Sequence, residues 1–203
     1  MVLVGRSVQP GEILPELLQD RDFYEISSGG ITISGGEPLL QAEFCIELAA
    51  ACKAEGLHVA LDTSGYAPWD QLRAALRHCD LVLYDIKSLL PDRHRRLTGV
   101  DNALILDNLY RAVEFLGPER VLLRYPLIAG HNSGSEELER LKQLCVELDV
   151  SVEILPYHRL GEGKYEALGM ARPAGLPDPQ AAMQLARQWQ DELNRAAISC
   201  AVA

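Results

Sequence analysis

The sequence predicts an α/β fold in which parallel strands form an incomplete (β/α) barrel. First, short and nearly continuous apolar runs recur along the chain, as in strands that are covered on both faces. Second, segments with helical periodicity separate these runs, which is the pattern of repeated βα units. Third, a complete eight-stranded barrel takes about 250 residues, whereas this chain has 203 residues and shows fewer strands.

The predicted elements alternate along the chain. The strands are Ile31–Ile33, His58–Leu61, Leu81–Tyr84, Val121–Leu123 and Val152–Leu155. The helices are Pro10–Asp20, Gln41–Glu55, Trp69–His78, Asn102–Leu116, Ser135–Leu148 and Pro179–Ala197. An open doubly wound sheet is the alternative that such units leave, and we expect one domain over residues 1–203.

Local signals support several of these boundaries. Gly56 is expected to stop the helix that ends at Glu55. Ser133 and Glu136 have capping-box spacing before the helix that begins at Ser135. The segment Gly161–Asp178 is rich in Gly and Pro and is predicted to be a long loop.

Composition excludes several classes of function. The net charge of −10 argues against nucleic acid or an anionic membrane surface as the main partner, because both favour Lys and Arg. No segment has the length of a transmembrane helix or the pattern of a signal peptide, so we expect a cytoplasmic protein. The cysteines form no CxxC or CxxxC pair and are predicted to be free thiols: Cys45, Cys52, Cys79, Cys145 and Cys200.

Polar residues interrupt the chain where the predicted strands end. The C-terminal ends of parallel strands share one rim, which is where α/β proteins bind ligands. We expect this rim to collect Glu37, Asp62, Asp85, Lys87, Arg124 and His158. The basic members can hold a carboxylate, and the aspartates can accept from hydroxyl or ammonium groups or bind a cation. Each residue alone has an ordinary explanation as a turn, a surface ion pair or a rim histidine. Their common location favours a binding site.

Five motifs in one order carry a family resemblance: GGITISGGEPLLQ, LDTSGY, LVLYDIK, LLRYPLIAGHN and LPYHRLGEGKYEALG. Together they resemble the glycyl radical enzyme activating enzymes of the pyruvate formate-lyase type. The resemblance implies a partial barrel in which a 4Fe-4S cluster chelates S-adenosylmethionine. Reductive cleavage then gives a 5′-deoxyadenosyl radical, which takes hydrogen from a glycine of a partner glycyl radical enzyme. Flavodoxin or ferredoxin is the implied electron donor.

The resemblance also implies roles for individual residues. It matches Ser34, Gly35, Gly36 and Glu37 to the motif that receives the methionine amino group. Asp85 and Lys87 match the motif for the ribose and the methionine carboxylate, and His158 and Arg124 match positions near the same ligand. The implied ligands of a monovalent cation are Asp62, Thr63 and Asp85. No residue is assigned a catalytic role.

The chain departs from the family at its N-terminal side. The family's first barrel strand and its CxxxCxxC motif have no counterpart here, so no iron–sulfur ligand is assigned. The departure implies a truncated or fragmentary chain that is inactive alone. It also leaves Ile31–Ile33 as an edge strand, through which we expect self-association.

Two other functions remain open at this stage. Lys87 at a strand end is also suited to a Schiff-base aldolase, with the nearby aspartates handling protons. The chain is also consistent with a non-catalytic remnant that binds S-adenosylmethionine or a partner protein.

Overall fold

The computed structural model describes residues 6–159, 169, 171 and 176–203. Within these residues, six strands form one sheet in the order β1-β2-β3-β4-β5-β6. They are β1 (Gly30–Ile33), β2 (His58–Thr63), β3 (Leu81–Asp85), β4 (Val121–Leu127), β5 (Ser151–Pro156) and β6 (Cys200–Val202). All neighbouring pairs are parallel, and β1 and β6 are the two edges. The predicted incomplete barrel of parallel strands is confirmed, with β6 as an additional strand.

Among the described residues, two helices precede β1 and the others lie between successive strands. They are α1 (Pro10–Leu18), α2 (Arg21–Ser27), α3 (Ala42–Ala54), α4 (Trp69–Leu76), α5 (Pro91–Thr98), α6 (Ala103–Leu116), α7 (Ser135–Leu148) and α8 (Pro179–Arg195). The six predicted helices are present, and α2 and α5 are additional. Short 3₁₀ turns precede α3 and β4, at Pro38–Gln41 and Pro118–Arg120. No helix in the described part of the chain is long and apolar enough to cross a membrane.

Two local signals have different outcomes. Gly56 has a φ of +76°, the left-handed conformation expected of a glycine that ends a helix. The prediction of a capping box before α7 is wrong, because Gly134 is the N-cap residue. The Ser133 hydroxyl instead accepts a hydrogen bond from the Gly130 N–H. Most of the predicted loop Gly161–Asp178 lies outside the described residues.

Side chains alternate between two different faces of the sheet. One face is buried against the helices in a single core, which contains Leu61, Tyr84, Leu123 and Ile154 from the strands. All five cysteines are free and four are buried, as predicted for reduced thiols. Burial raises the pKa of Cys79 and of Cys145 to about 12, so these thiols are poor nucleophiles at neutral pH.

The other face of the sheet carries a mixture of apolar and charged side chains, and we call it the open face. The strand registers place these residues side by side on it: Thr32, Ala60, Asp62, Leu83, Asp85, Leu122, Arg124, Glu153 and Leu155. None of them belongs to the core cluster. The fold therefore presents a partly exposed surface of mixed polarity to one side and a packed apolar core to the other.

Candidate functional site

Arg124 is at the centre of a charged row on the open face. Its Nη1 donates to Asp62 Oδ2 at 3.2 Å and its Nε donates to Glu153 Oε2 at 3.1 Å. Asp62 Oδ2 also accepts from the Ser34 hydroxyl at 2.9 Å. The row therefore links β2, β4 and β5 to the residue that follows β1, and the guanidinium is compensated by two carboxylates.

Arg124 reaches this position although it does not end its strand. Sequence reasoning placed it directly after a strand that stops at Leu123, whereas β4 continues to Leu127. The stagger of the strands aligns Arg124 with Asp85, the last residue of β3, and with Glu153 on β5. Register, rather than the strand end, brings Arg124 into the site.

Asp85 and Lys87 form the second part of the site. Lys87 Nζ donates to Asp85 Oδ2 at 2.7 Å. Asp85 Oδ1 is buried and accepts no hydrogen bond from the described residues. A buried carboxylate oxygen without a partner is costly, so this oxygen suits a ligand that brings a hydroxyl or ammonium donor.

Glu37 is fixed at the rim by the loop that follows β2. Its Oε1 accepts from the Thr63 hydroxyl at 2.6 Å, and its Oε2 accepts from the Ser64 hydroxyl at 2.5 Å and the Ser64 N–H at 3.0 Å. Oε1 also accepts from the Leu39 N–H, which caps the 3₁₀ turn. The motif after β1 and the motif after β2 are thus one hydrogen-bonded unit.

Buried groups support this loop from below. Gly65 has a φ of +71°, and a Cβ at this position would overlap the Tyr84 hydroxyl. That hydroxyl donates to Ile105 O at 2.7 Å, and Asn108 Nδ2 donates to the carbonyls of Gly65 and Ala67. Burial, with the Glu37 carboxylate nearby, raises the pKa of Tyr84 well above its usual value, so the phenol remains a donor.

The remaining predicted residues have mixed outcomes. At Gly35 and Gly36 a Cβ would meet no atom within 4 Å, so this loop borders open space that a ligand can enter. Thr63 is buried, and its hydroxyl is already engaged by Glu37 and by the Gly65 N–H. His158 is exposed, two residues beyond the end of β5. The role of each of these residues toward a ligand stays a prediction.

Three polar residues in or beside the site were missed from the sequence. Glu153 follows the exposed–buried alternation of β5, and this alternation is a signal that places it on the same face as Arg124. Glu137 lies four residues before Leu141 and eight before Cys145, on the apolar face of α7, which helical spacing also indicates. Asn132 is buried in the loop before α7, and no sequence pattern predicts its burial.

A comparison with protein families decides the classification. The model described as Radical SAM superfamily matches residues 4–156 of the chain. This chain belongs to the radical SAM superfamily. Radical SAM proteins are named for S-adenosylmethionine (SAM), so the polar rim is a candidate SAM site.

Several curated proteins that are similar to this radical SAM chain are activating enzymes. An isethionate sulfite-lyase activating enzyme of Nitratidesulfovibrio vulgaris is 43% identical over 177 residues, which are 86% of this chain and 57% of that protein. A pyruvate formate-lyase-activating enzyme of Clostridium pasteurianum is 36% identical, over 82% of this chain and 69% of that protein. The relatives therefore confirm the resemblance to glycyl radical enzyme activating enzymes. The chain spans a little more than half the length of the first relatives that it matches.

Solved structures agree with this classification. A crystallised domain of a pyruvate-formate lyase-activating enzyme from Bacteroides vulgatus is 29% identical and superposes with a TM-score of 0.68, covering 86% of this chain and 99% of that domain. A radical SAM methyltransferase from Sphaerobacter thermophilus, at 16% identity, has a TM-score of 0.71 over 98% of this chain and 59% of that protein. The second likeness shows the shared fold alone.

Proposed function

We propose that this radical SAM chain belongs to an activating enzyme that generates a glycyl radical on a partner enzyme by reductive cleavage of SAM. The observation that carries the proposal is the similarity to activating enzymes over 86% of the chain. That similarity coincides with a polar open face at the C-terminal ends of the strands. The partner, a glycyl radical enzyme, and the electron donor, flavodoxin or ferredoxin, are part of the proposal, as is a cytoplasmic location.

The residues of the rim fit SAM in three respects. The buried Asp85 Oδ1, which accepts no hydrogen bond from the described residues, suits a ribose hydroxyl. Lys87 on the same rim carries an ammonium group for the methionine carboxylate. The open space beside Gly35 and Gly36 lets the methionine amino group approach the backbone, because no Cβ intervenes. We assign Glu37, Arg124 and His158 to the same pocket.

Arg124 has a more restricted role in this proposal than sequence reasoning gave it. Its guanidinium already binds Asp62 and Glu153. We propose that Arg124 holds these two carboxylates in place and that a ligand carboxylate has to compete with them. Lys87, whose side chain is 40% exposed and pairs within the described part of the chain with Asp85 alone, is the stronger candidate for the methionine carboxylate.

The chain's own residues do not fit a 4Fe-4S cluster. The cysteines lie on separate elements and four of them are buried, and no group of three or more metal-ligating side chains occurs among the described residues. SAM supplies the sulfonium whose reductive cleavage yields the deoxyadenosyl radical. The residues described here would bind and orient that molecule. A monovalent cation at Asp62, Thr63 and Asp85 remains a proposal.

The edge strand β1 supports self-association of this chain. No described strand pairs with its outer edge, and the nearby α2 exposes Phe23 and Ile26. Sizing chromatography over a range of concentrations tests the proposal. A concentration-dependent shift to larger species is expected, and a monomer at all concentrations contradicts it.

Calorimetric titration tests the proposed ligand site. SAM is expected to bind more tightly than methylthioadenosine, which lacks the amino and carboxylate groups of methionine. Equal affinities, or no binding of either compound, contradict the assignment of the rim.

Borohydride trapping tests the Schiff-base alternative, which the activating-enzyme relatives do not favour.

A second experiment tests the chemistry of the isolated chain. The 203-residue chain is incubated anaerobically with iron and sulfide, reduced and supplied with SAM. We expect no 5′-deoxyadenosine, because the cluster lacks its ligands here. Formation of 5′-deoxyadenosine would show that this chain holds a cluster by other residues.

A further inference from the structure

The backbone that follows β3 is held by buried polar side chains from three other parts of the chain. Asn132 Nδ2 donates to the carbonyl of Lys87 at 2.8 Å, and Asn102 Nδ2 donates to the carbonyl of Ser88 at 3.1 Å. Glu137 Oε1 accepts from the Ser88 hydroxyl, and its Oε2 accepts from the Leu89 N–H at 2.8 Å. The segment Lys87–Leu89 is therefore fixed at each residue by a different contact.

Glu137 is an unusual group for this task. Its side chain has no exposed surface, and its one cationic contact among the described residues is Arg93 Nη1 at 3.2 Å. Burying a carboxylate is expensive even when it is paired, and a neutral side chain can also accept from a hydroxyl and an N–H. A carboxylate forms shorter and stronger hydrogen bonds than a neutral acceptor does. Glu137 therefore holds Ser88 and Leu89 more rigidly than a neutral side chain would.

Asn132 connects the same segment to β4. Its Nδ2 donates also to the Pro126 carbonyl at 2.6 Å, and its Oδ1 accepts from the Ile128 N–H at 2.7 Å. The Tyr125 hydroxyl donates to the Asn132 carbonyl at 2.9 Å. Burial and the nearby Glu137 carboxylate raise the pKa of Tyr125, so this contact keeps its donor. The network thus joins the end of β3, the end of β4 and the start of α7.

We infer that Glu137 and Asn132 are positioning residues for Lys87. They fix the backbone beneath Lys87, so that its ammonium group meets Asp85 and points to the open face. The inference depends on the proposed function only for the identity of the ligand that Lys87 binds. The contacts with the backbone are independent of any ligand.

The test compares two aspartate–lysine pairs in the same protein. Lys87 pairs with Asp85 at the C-terminal end of β3, and Lys53 pairs with Asp80 at the other end. The acylation rate of each lysine is measured in the full chain by mass spectrometry with an amine-reactive ester. In Glu137→Gln we expect Lys87 to react several-fold faster, because its ion pair with Asp85 loosens, and Lys53 to keep its rate.

Asp80→Asn is the matched control. It removes the carboxylate partner of Lys53, so it should raise the acylation rate of Lys53 and leave that of Lys87 unchanged. Ser88→Ala is a milder change in the same network and should also raise the acylation rate of Lys87. It replaces Glu137→Gln as the test if that variant does not fold. An unchanged Lys87 rate in folded Glu137→Gln, or in Ser88→Ala, overturns the inference. So does an equal acceleration of both lysines, which indicates general loosening.

A SAM titration separates this inference from the proposed function. If SAM binds, Glu137→Gln should lower the affinity for SAM about tenfold. In a chain that already carries Lys87→Ala, Glu137→Gln should lower the affinity no further. If the unmodified chain does not bind SAM, the proposed site fails while the acylation rates still decide the role of Glu137. A loss of affinity that persists in Lys87→Ala shows that Glu137 does not act through Lys87.

Discussion

Strand β3 has a carboxylate at each end, and the two carboxylates differ in how their oxygens are used. Asp80 precedes the strand and accepts from Lys53 with both oxygens, at 2.8 and 2.9 Å, and from the Val59 N–H at 2.8 Å. Asp85 ends the strand and accepts from Lys87 with Oδ2, whereas its buried Oδ1 has no donor among the described residues. Both carboxylates have a lysine partner, so the ion pair is not what distinguishes them.

The difference lies in the oxygen that remains. Burial alone would raise the pKa of Asp80, but the hydrogen bonds from Lys53 and the Val59 N–H outweigh it and lower the pKa. Both oxygens of Asp80 are therefore engaged within the fold, which they stabilise. Asp85 retains an acceptor at the end of the sheet where α/β proteins bind ligands. We propose that these hydrogen bonds distinguish a structural end of the strand, at Asp80, from a binding end, at Asp85.

The largest expected effect tests the framework of the binding end. Gly65→Ala forces an alanine into a left-handed conformation and against the Tyr84 hydroxyl. Strain and overlap together should cost about 3 kcal/mol or more of the free energy of unfolding. Gly99→Ala is the control, because Gly99 has a φ of +90° and a Cβ there meets no atom within 4 Å. Denaturant unfolding should show a loss of about 1 kcal/mol for that control. Equal losses would mean that the overlap relaxes freely.

The next effect compares the two lysines. Lys87→Ala should weaken SAM binding by about 1.5–3 kcal/mol, since a charge-assisted contact is lost. Lys53→Ala removes the partner of Asp80 and should lower stability without changing the affinity. Calorimetric titration with SAM, together with a melting curve for each variant, measures both quantities. If the two variants bind SAM equally well, the binding end has been assigned wrongly.

The sequence predicted the arrangement of strands because their apolar runs are long and regular. It missed β6, which has three residues, and α5, whose sequence PDRHRRLT buries His94 alone and has no apolar period. His94 is buried, and its Nδ1 lies 2.8 Å from the Val100 carbonyl. A short or highly charged element gives a periodicity argument too little to use.

The sequence predicted which residues lie at the rim better than how they pair. Glu37 follows β1 and Asp85 ends β3, since strand ends are visible in the hydrophobic pattern, whereas Asp62 lies within β2, one residue before its end. The contact of Arg124 with Glu153 depends on the register of β4 and β5, which one chain segment alone does not specify. Buried partners such as Glu137 occupy positions where a hydrophobic residue is the ordinary expectation.

A smaller effect concerns the pH dependence of stability at the structural end. The pKa of folded Asp80 lies below the ordinary value of 3.8, so its contribution is present above that value and is lost as the pH falls through the folded pKa. Asp80→Asn should destabilise the protein by about 1 kcal/mol at neutral pH, and the difference from the unmodified chain should vanish in acid. Urea unfolding at a series of pH values measures this. A difference that stays constant into acid would show that the charge of Asp80 contributes nothing.

The smallest effect is expected at the exposed rim. The Ser34 hydroxyl donates to Asp62 Oδ2 at 2.9 Å, but Ser34 is exposed and water can replace it. Ser34→Ala should therefore change the free energy of unfolding by less than about 0.5 kcal/mol, measured by urea unfolding beside Asp80→Asn. Asp62 keeps Arg124 as a partner in this variant, so the charged row should survive. If Ser34→Ala instead costs more than Asp80→Asn, the charges of the open face are part of the framework. The two ends of the sheet would then differ in degree only. The Asp85 oxygen that has no donor among the described residues would no longer suffice to distinguish a binding end from a structural end.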